Sequence, residues 1–192
     1  MKKNNSNQLE IKIVENEDEK LKAFLVRGIV YIEEQDCPYE EEFDLNDFSS
    51  TLIVGVIGSE PVLTARIRYF DNFAKLERVA IRKKYRQRGY AHRLIKFMID
   101  CCRRKGYSKL YMHAQIRLKN FYEEYNFHQI GEEFSFSDYE YIEMVCLFKN
   151  AYNPEMYMTE QPLLLDRSDG HPYEKNELEK SADRADNRYI AV

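Results

Sequence analysis

An apolar stretch at residues 76–81 leads into Arg86-Gln87-Arg88-Gly89-Tyr90-Ala91, and a strongly amphipathic segment follows. That succession predicts a strand, a cationic turn and a helix. The first amides of a helix have no intrahelical acceptor, and its N-terminal end is electropositive. Both therefore point at one spot, which favours a polyphosphate. The helix carries Ala91, Leu94, Ile95, Met98 and Cys102 on one stripe, with Arg93, Lys96, Arg103 and Arg104 mostly off it. Lys105 and Gly106 supply a cationic last turn and a left-handed cap.

The remaining pattern surrounds this unit with strands. Residues 9–14 alternate apolar and polar side chains and read as a strand. Residues 18–34 place Leu21, Phe24, Leu25, Ile29 and Ile32 at helical spacing, and Pro38 with the acidic residues after it reads as a loop. Residues 51–57 and 62–69 flank Gly58-Ser59-Glu60-Pro61 and read as a hairpin. In the strand at 76–81 the alternation falters at Glu77-Arg78-Val79, which fits either a bulge or an ambiguous register. Residues 110–114 read as a strand and 118–125 as a short helix stopped by Asn126, a residue that tolerates left-handed backbone. Residues 127–130 and 141–148 read as antiparallel closing strands joined through 131–140. The order β, α, β, β, β, α, β, α, β, β predicts an α/β layered fold around a mixed sheet.

Composition bounds the class. The chain has 192 residues and is 44% hydrophobic, with 15 Tyr and 11 Phe, enough for one cored domain and an extension. A net charge of −4 gives no bulk attraction to nucleic acid or acidic membranes. Locally the charge is uneven: residues 33–47 hold eight acids and no base, and residues 82–105 hold ten Lys or Arg and one acid, Asp100. Each run also suits an ordinary solvated face. The four cysteines show no metal-ligand or redox spacing, the N-terminal residues are polar, and no apolar run reaches the length of a membrane span, so a reducing cytoplasm is expected. Residues 1–8 read as a flexible N-terminus and 9–150 as the domain. In residues 151–192, Pro154, Pro162, Gly170 and Pro172 punctuate the chain and 181–188 are almost wholly polar. That extension reads as an appendage, partly ordered at best. Its Leu163-Leu164-Leu165 cluster suits docking on the domain or on a neighbouring subunit of a homodimer.

Three segments together resemble the GNAT-superfamily N-acetyltransferases: Leu76-Glu77-Arg78-Val79-Ala80-Ile81, Tyr85-Arg86-Gln87-Arg88-Gly89-Tyr90-Ala91, and Asn120-Phe121-Tyr122-Glu123-Glu124-Tyr125-Asn126-Phe127. Arg86, Gly89 and Ala91 fill the family's phosphate-loop pattern of Arg or Gln, two residues, Gly, one residue, then Gly or Ala. The resemblance covers residues 9–148. Val26-Arg27 and Val30-Tyr31-Ile32-Glu33-Glu34-Gln35 are similar to a compact GNAT branch whose members mostly lack assigned substrates. That branch often carries His-Ile-x-Met in its penultimate strand; Tyr141-Ile142-Glu143-Met144 stands here instead, so no role for that histidine carries over. Asn126 occupies the usual place of a glycine. The resemblance implies a GNAT-like fold with a mixed, mostly antiparallel central sheet flanked by helices. It also implies acetyl-CoA as acyl-donor cosubstrate and a primary amine as acceptor.

Acetyl transfer needs a pyrophosphate grip, a held pantetheine arm, a neutral amine and a proton for the departing thiolate. The resemblance implies the grip from the amides of Arg86, Gln87, Arg88, Gly89, Tyr90 and Ala91, with Gly89 allowing close approach. It implies main-chain bonds to pantetheine from Val79 and Ile81, whose side chains suit plain core equally, and a bond to the cofactor arm from Asn120. Tyr122 matches the family's general acid. A phenol of pKa about 10 can donate to a thiolate, and such catalysis contributes about 10²–10⁴-fold; as one of 15 tyrosines, Tyr122 would also suit simple packing. For the base, Glu77 leads, because family members often place a carboxylate on this strand, and an ordinary salt-bridged glutamate fits as well. His113 is second, and Glu33 and Glu34 suit the acceptor entrance. The acids of 33–47 fall where GNAT folds shape the acceptor site, so a rim including Glu40, Glu41 and Glu42 would concentrate a cationic small amine, a polyamine or a lysine.

Two other classes fit the chain less well. One is a CoA-binding sensor or assembly protein without catalysis. The other is a nucleic-acid module built on residues 82–105, against which stand the acidic chain and the lack of interleaved exposed aromatics.

Overall fold

The β-branched segments around Gly58, which takes φ +61°, pair as the hairpin of β2 (Thr51–Ile57) and β3 (Glu60–Tyr69). The computed structural model describes residues 8–136, 139–148, 167 and 174–188. The other strands are β1 (Leu9–Ile13), β4 (Ala74–Ile81), β5 (Lys109–Gln115), β6 (His128–Phe136) and β7 (Tyr139–Leu147). The helices are α1 (Glu17–Arg27), α2 (Tyr39–Glu42), α3 (Tyr90–Arg104), α4 (Lys119–Glu123) and α5 (Glu177–Arg188). One seven-stranded sheet runs β1-β2-β3-β4-β5-β7-β6, and only β4 against β5 is parallel.

That parallel pair is short. β4 meets β5 only at Ala74↔Leu110 and Lys75↔Tyr111, whereas β5 pairs with β7 along its whole length. The faltering alternation in β4 is a bulge. Thr64 pairs with Ala80 and Arg66 with Glu77, so β4 inserts one extra residue and Arg78 takes φ +51°. A bulge bends its strand and strengthens the local twist. Beyond Lys75 the sheet therefore opens between β4 and β5.

Helices cover both faces. On one, α3 buries Leu94, Ile95, Met98, Cys101 and Cys102 in a core with Leu76, Leu110, Met112, Ile142 and Met144. Each large side chain there contributes about 1.5–3 kcal/mol by leaving water. On the other, α1 packs Ala23 against Val54 and Val56, and Val26 against Ala80. Asn16 caps α1 by accepting from the Glu19 amide at 3.0 Å, and the helix continues into a wider turn over Gly28–Glu33. Its apolar spacing misleads about the buried face: Leu21 and Leu25 are 66% and 52% exposed. The sheet instead takes Ala23, whose small side chain permits close approach, together with Val26 and Arg27.

The structure revises three more readings. The acidic loop contains α2 and a short 3₁₀ turn, Leu45–Phe48. β6 runs on to Phe136 through Gly131, which takes φ +65°, where the sequence suggests a connection. Asn126 does stop the α4 region, with φ +62°. α5 lies in the extension read as an appendage and buries Leu178 and Ser181. Residues 1–7 and the Leu163-Leu164-Leu165 cluster lie outside the described residues. Among the described residues, no helix is long and apolar enough to cross a membrane.

Candidate active site

The opening between β4 and β5 holds a cavity of about 160 Å³. Leu76, Glu77, Arg78 and Val79 of β4 form one wall, and Met112, His113, Ala114 and Gln115 of β5 the opposite one. Tyr122 of α4 enters from the α3 face of the sheet, and Tyr31, Glu41 and Glu42 enter from the α1 face. The cavity thus passes through the sheet. From Leu76 onward the edge of β4 that faces β5 pairs with no strand, leaving backbone groups for an extended ligand.

Tyr122 is 6% exposed, and burial pushes its phenol up to about 12, with the nearby Arg117 charge pulling the other way. The left-handed turn at Asn126 lets the Phe127 amide donate to the Tyr122 carbonyl at 3.3 Å and sends the buried Phe127 ring against Tyr122. Asn120, on the same helix, is exposed and does not line the cavity.

The cationic turn is held from below. Arg86 donates through Nε to the Ile81 carbonyl at 2.8 Å and pairs with Glu34, while Arg88 lies over the Tyr85 ring. Gln87 and Gly89 take φ +61° and +73°, and Gly89 starts α3 without a side-chain cap. A Cβ at Gly89 would meet nothing within 4 Å, so its backbone conformation, not crowding, calls for glycine. The side chains of Tyr90 and Ala91 pack on the core. The carbonyls of Val79 and Ile81 already accept, from Tyr31 Oη at 3.0 Å and from Arg86.

The acidic stretch is largely neutralised from within. Arg27, 0% exposed, pairs with Glu42 and, at 2.5 Å, with Asp47. Arg66, also 0% exposed, reaches Asp44 at 2.6 Å, Asp47 at 3.0 Å and Glu77 at 2.8 Å. Arg78 lies 3.1 Å from Glu42 and 3.4 Å from Asp44. Burial pushes the Glu42 carboxyl up, against the Arg78 and Arg27 charges. Glu41 is buried as well, while Glu33 and Glu40 remain exposed. The expected negative rim is therefore in good part a buried ion-pair network. Glu77 belongs to it: Oε2 accepts from Arg66, and Oε1 lies 3.1 Å from Lys75 Nζ, within ion-pair reach but not aligned for a hydrogen bond.

His113 has a different setting. It stands opposite Glu143 in the β5–β7 register, and its Nε2 lies 2.9 Å from the Tyr111 hydroxyl. That hydroxyl donates to Glu143 Oε1. Glu143 is 1% exposed, and burial raises its carboxyl, with Tyr111 and Lys75 opposing. If the Tyr111 proton faces Glu143, His113 must donate through Nε2, which leaves Nδ1 as its basic nitrogen. Sequence reasoning passed over Tyr111 and Glu143. The alternation that puts residues 111 and 113 on one face was the available signal.

A family model for the acetyltransferase (GNAT) domain matches residues 31–148. A Bacillus subtilis protein named as an acetyltransferase is 32% identical over 129 residues, covering 66% of this chain and 88% of that one. In fold, the chain is similar to a Lactobacillus plantarum protein named as an N-acetyltransferase, with a TM-score of 0.69 at 21% identity over 73% of this chain and 99% of that one. It is also similar to a GNAT family acetyltransferase from Elizabethkingia anophelis with acetyl-CoA bound, with a TM-score of 0.54 at 14% identity over 76% and 100%. The chain belongs to the GNAT acetyltransferase family, whose members transfer acyl groups from acetyl-CoA. It is an N-acetyltransferase.

Proposed function

We propose that this protein moves an acetyl group from acetyl-CoA to a primary amine by direct attack in a ternary complex. One observation carries the reading: the cavity where β4 leaves β5 joins Tyr122 on one face of the sheet to His113 and the α2 acids on the other. The residues present fit the donor. The uncapped start of α3 and the positive-φ backbone at Gln87 and Gly89 suit a pyrophosphate. The unpaired edge of β4 at Leu76, Glu77, Arg78 and Val79 suits the amides of a pantetheine arm, and Ile81 ends the same strand.

In this reading the base takes one proton from the acceptor ammonium. The freed nitrogen lone pair attacks the thioester carbonyl and forms the C–N bond. As the tetrahedral centre collapses, the C–S bond breaks, Tyr122 protonates the leaving thiolate, and the nitrogen's second proton returns through water to the Tyr122 phenolate, leaving a neutral amide. Its raised pKa keeps the phenol protonated at neutral pH. For the base, the surroundings favour His113 over Glu77. Protonating Glu77 would remove a carboxylate that buried Arg66 and Lys75 share, and weakening a buried ion-pair network from one side is costly. His113 lines the same cavity with its tautomer held by Tyr111. Glu77 then serves to hold the β4 wall in place.

The test is twofold. Acetyl-CoA should raise Tm, because a ligand that binds only the folded state stabilises it, and thiol release should depend on an added primary amine. A Tm shift without amine-dependent thiol release would leave a CoA-binding sensor in its place.

A further inference from the structure

The matched domain ends at residue 148, whereas α5 begins at Glu177. A helix of 12 residues is marginal by itself in water, so its contacts must hold it. Asn176 and Glu179 cap it reciprocally: the Asn176 side chain accepts from the Glu179 amide at 2.8 Å, and Glu179 accepts from the Asn176 amide at 3.1 Å. Arg167 donates to both oxygens of Glu179 at 2.8 Å, and its carbonyl accepts from Arg68 of β3 at 3.4 Å. Leu178 and Ser181, about one turn apart, are each 6% exposed.

The position of α5 bears on the cavity. It packs against both α2 and β6. α2 brings Glu41 and Glu42 to one side of the cavity, and β7, paired with β6, brings Tyr139 and Tyr141 to the other. α5 bridges these two sides, and Leu178 is itself part of the wall. A peptide-borne lysine needs an open trough for the backbone on each side of it, and a helix lying across the acceptor face takes that room.

We propose that α5 closes the acceptor half of the cavity and that Leu178 sets the size of the amine admitted, so that the acceptors are small free amines, not lysines carried on polypeptide. The proposal rests on the acetyltransferase reading of the same cavity. It gives the C-terminal extension a role: completing the acceptor site.

The test uses the full chain, with acetyl-CoA as donor and ethylamine, phenethylamine and a blocked hexapeptide with one lysine as acceptors. Wild type should favour ethylamine and leave the peptide unused. Leu178→Ala should raise the phenethylamine-to-ethylamine ratio of kcat/KM by about tenfold or more, since a few methylenes of pocket space carry discrimination of that order. Leu178→Phe should lower the ratio. Glu179→Ala, which lies outside the cavity wall and frees the Arg167 clamp, should widen the range in the same direction as Leu178→Ala. Calorimetric titration of the same amines onto the CoA-bound proteins separates the two readings. Size-ranked binding that shifts in these variants without turnover would retain the α5 assignment and remove the catalytic one. Equal ratios in all three variants, in folded protein by Tm, would overturn the α5 assignment, as would ready turnover of the peptide by wild type.

Discussion

His113 Nε2 lies 2.9 Å from the Tyr111 hydroxyl, which in turn donates to the buried Glu143. In the proposed reaction this run of hydrogen bonds orients His113, which lines the cavity, as the base. His113→Gln should lower kcat by about 10²-fold or more, while the Kd for acetyl-CoA stays near wild type. Tyr111→Phe removes only the orienting hydroxyl and should cost less, about tenfold in kcat, with KM for acetyl-CoA unchanged. Steady-state kinetics on both variants checks this. A kcat for His113→Gln equal to wild type would pass the base role to water or to another group.

Burial raises Tyr122 to about 12, and an acid is protonated below its pKa, so the donor form persists across the neutral and mildly alkaline range. kcat should therefore hold level from neutral pH through about pH 10, the ordinary phenol value. A pH profile of kcat that falls around 10 would show that the titration controlling turnover belongs elsewhere.

Gly89 takes φ +73°, a conformation that costs an L-residue about 1–2 kcal/mol. Gly89→Val should distort the start of α3 and raise the Kd for acetyl-CoA about tenfold or more, with a smaller loss of Tm. Cofactor titration followed by calorimetry measures it, and unchanged affinity would take the pyrophosphate away from this turn.

Arg27 is 0% exposed and bonds Glu42 and Asp47. Arg27→Leu would leave both carboxylates short of a partner, and breaking a buried pair from one side costs about 3–5 kcal/mol. Urea denaturation should show a loss of that size. A change under about 1 kcal/mol would mean that Arg66 and Arg78 absorb the charge alone.

Much of this fold was legible because local patterning agreed with the tertiary outcome. The amphipathic α3, the hairpin at Gly58 and the stop at Asn126 each follow from side-chain period or backbone preference. The bulge left a trace in Glu77-Arg78-Val79, but only pairing with Thr64 and Arg66 tells a bulge from a slipped register. The acidic stretch misled because its counter-ions are distant in the chain: Arg27 precedes it, and Arg66 and Arg78 follow on other strands. α1 misled for a related reason. Counting apolar residues selects Leu21 and Leu25, whereas the sheet selects the side that fits beneath it and brings Arg27 to its carboxylates. The relay at His113 depends on cross-strand register, and α5 on contacts with elements more than a hundred residues upstream, such as α2.

The most direct measurement is a single-turnover assay of thiol release, with acetyl-CoA bound to wild type or Tyr122→Phe and mixed with excess small primary amine. Wild type should release thiol in an amine-dependent phase. Tyr122→Phe should do so about 10²–10⁴-fold more slowly while keeping the acetyl-CoA-induced rise in Tm. Equal rates for the two proteins would contradict the assignment of the β4–β5 cavity as the site of transfer with Tyr122 as its acid.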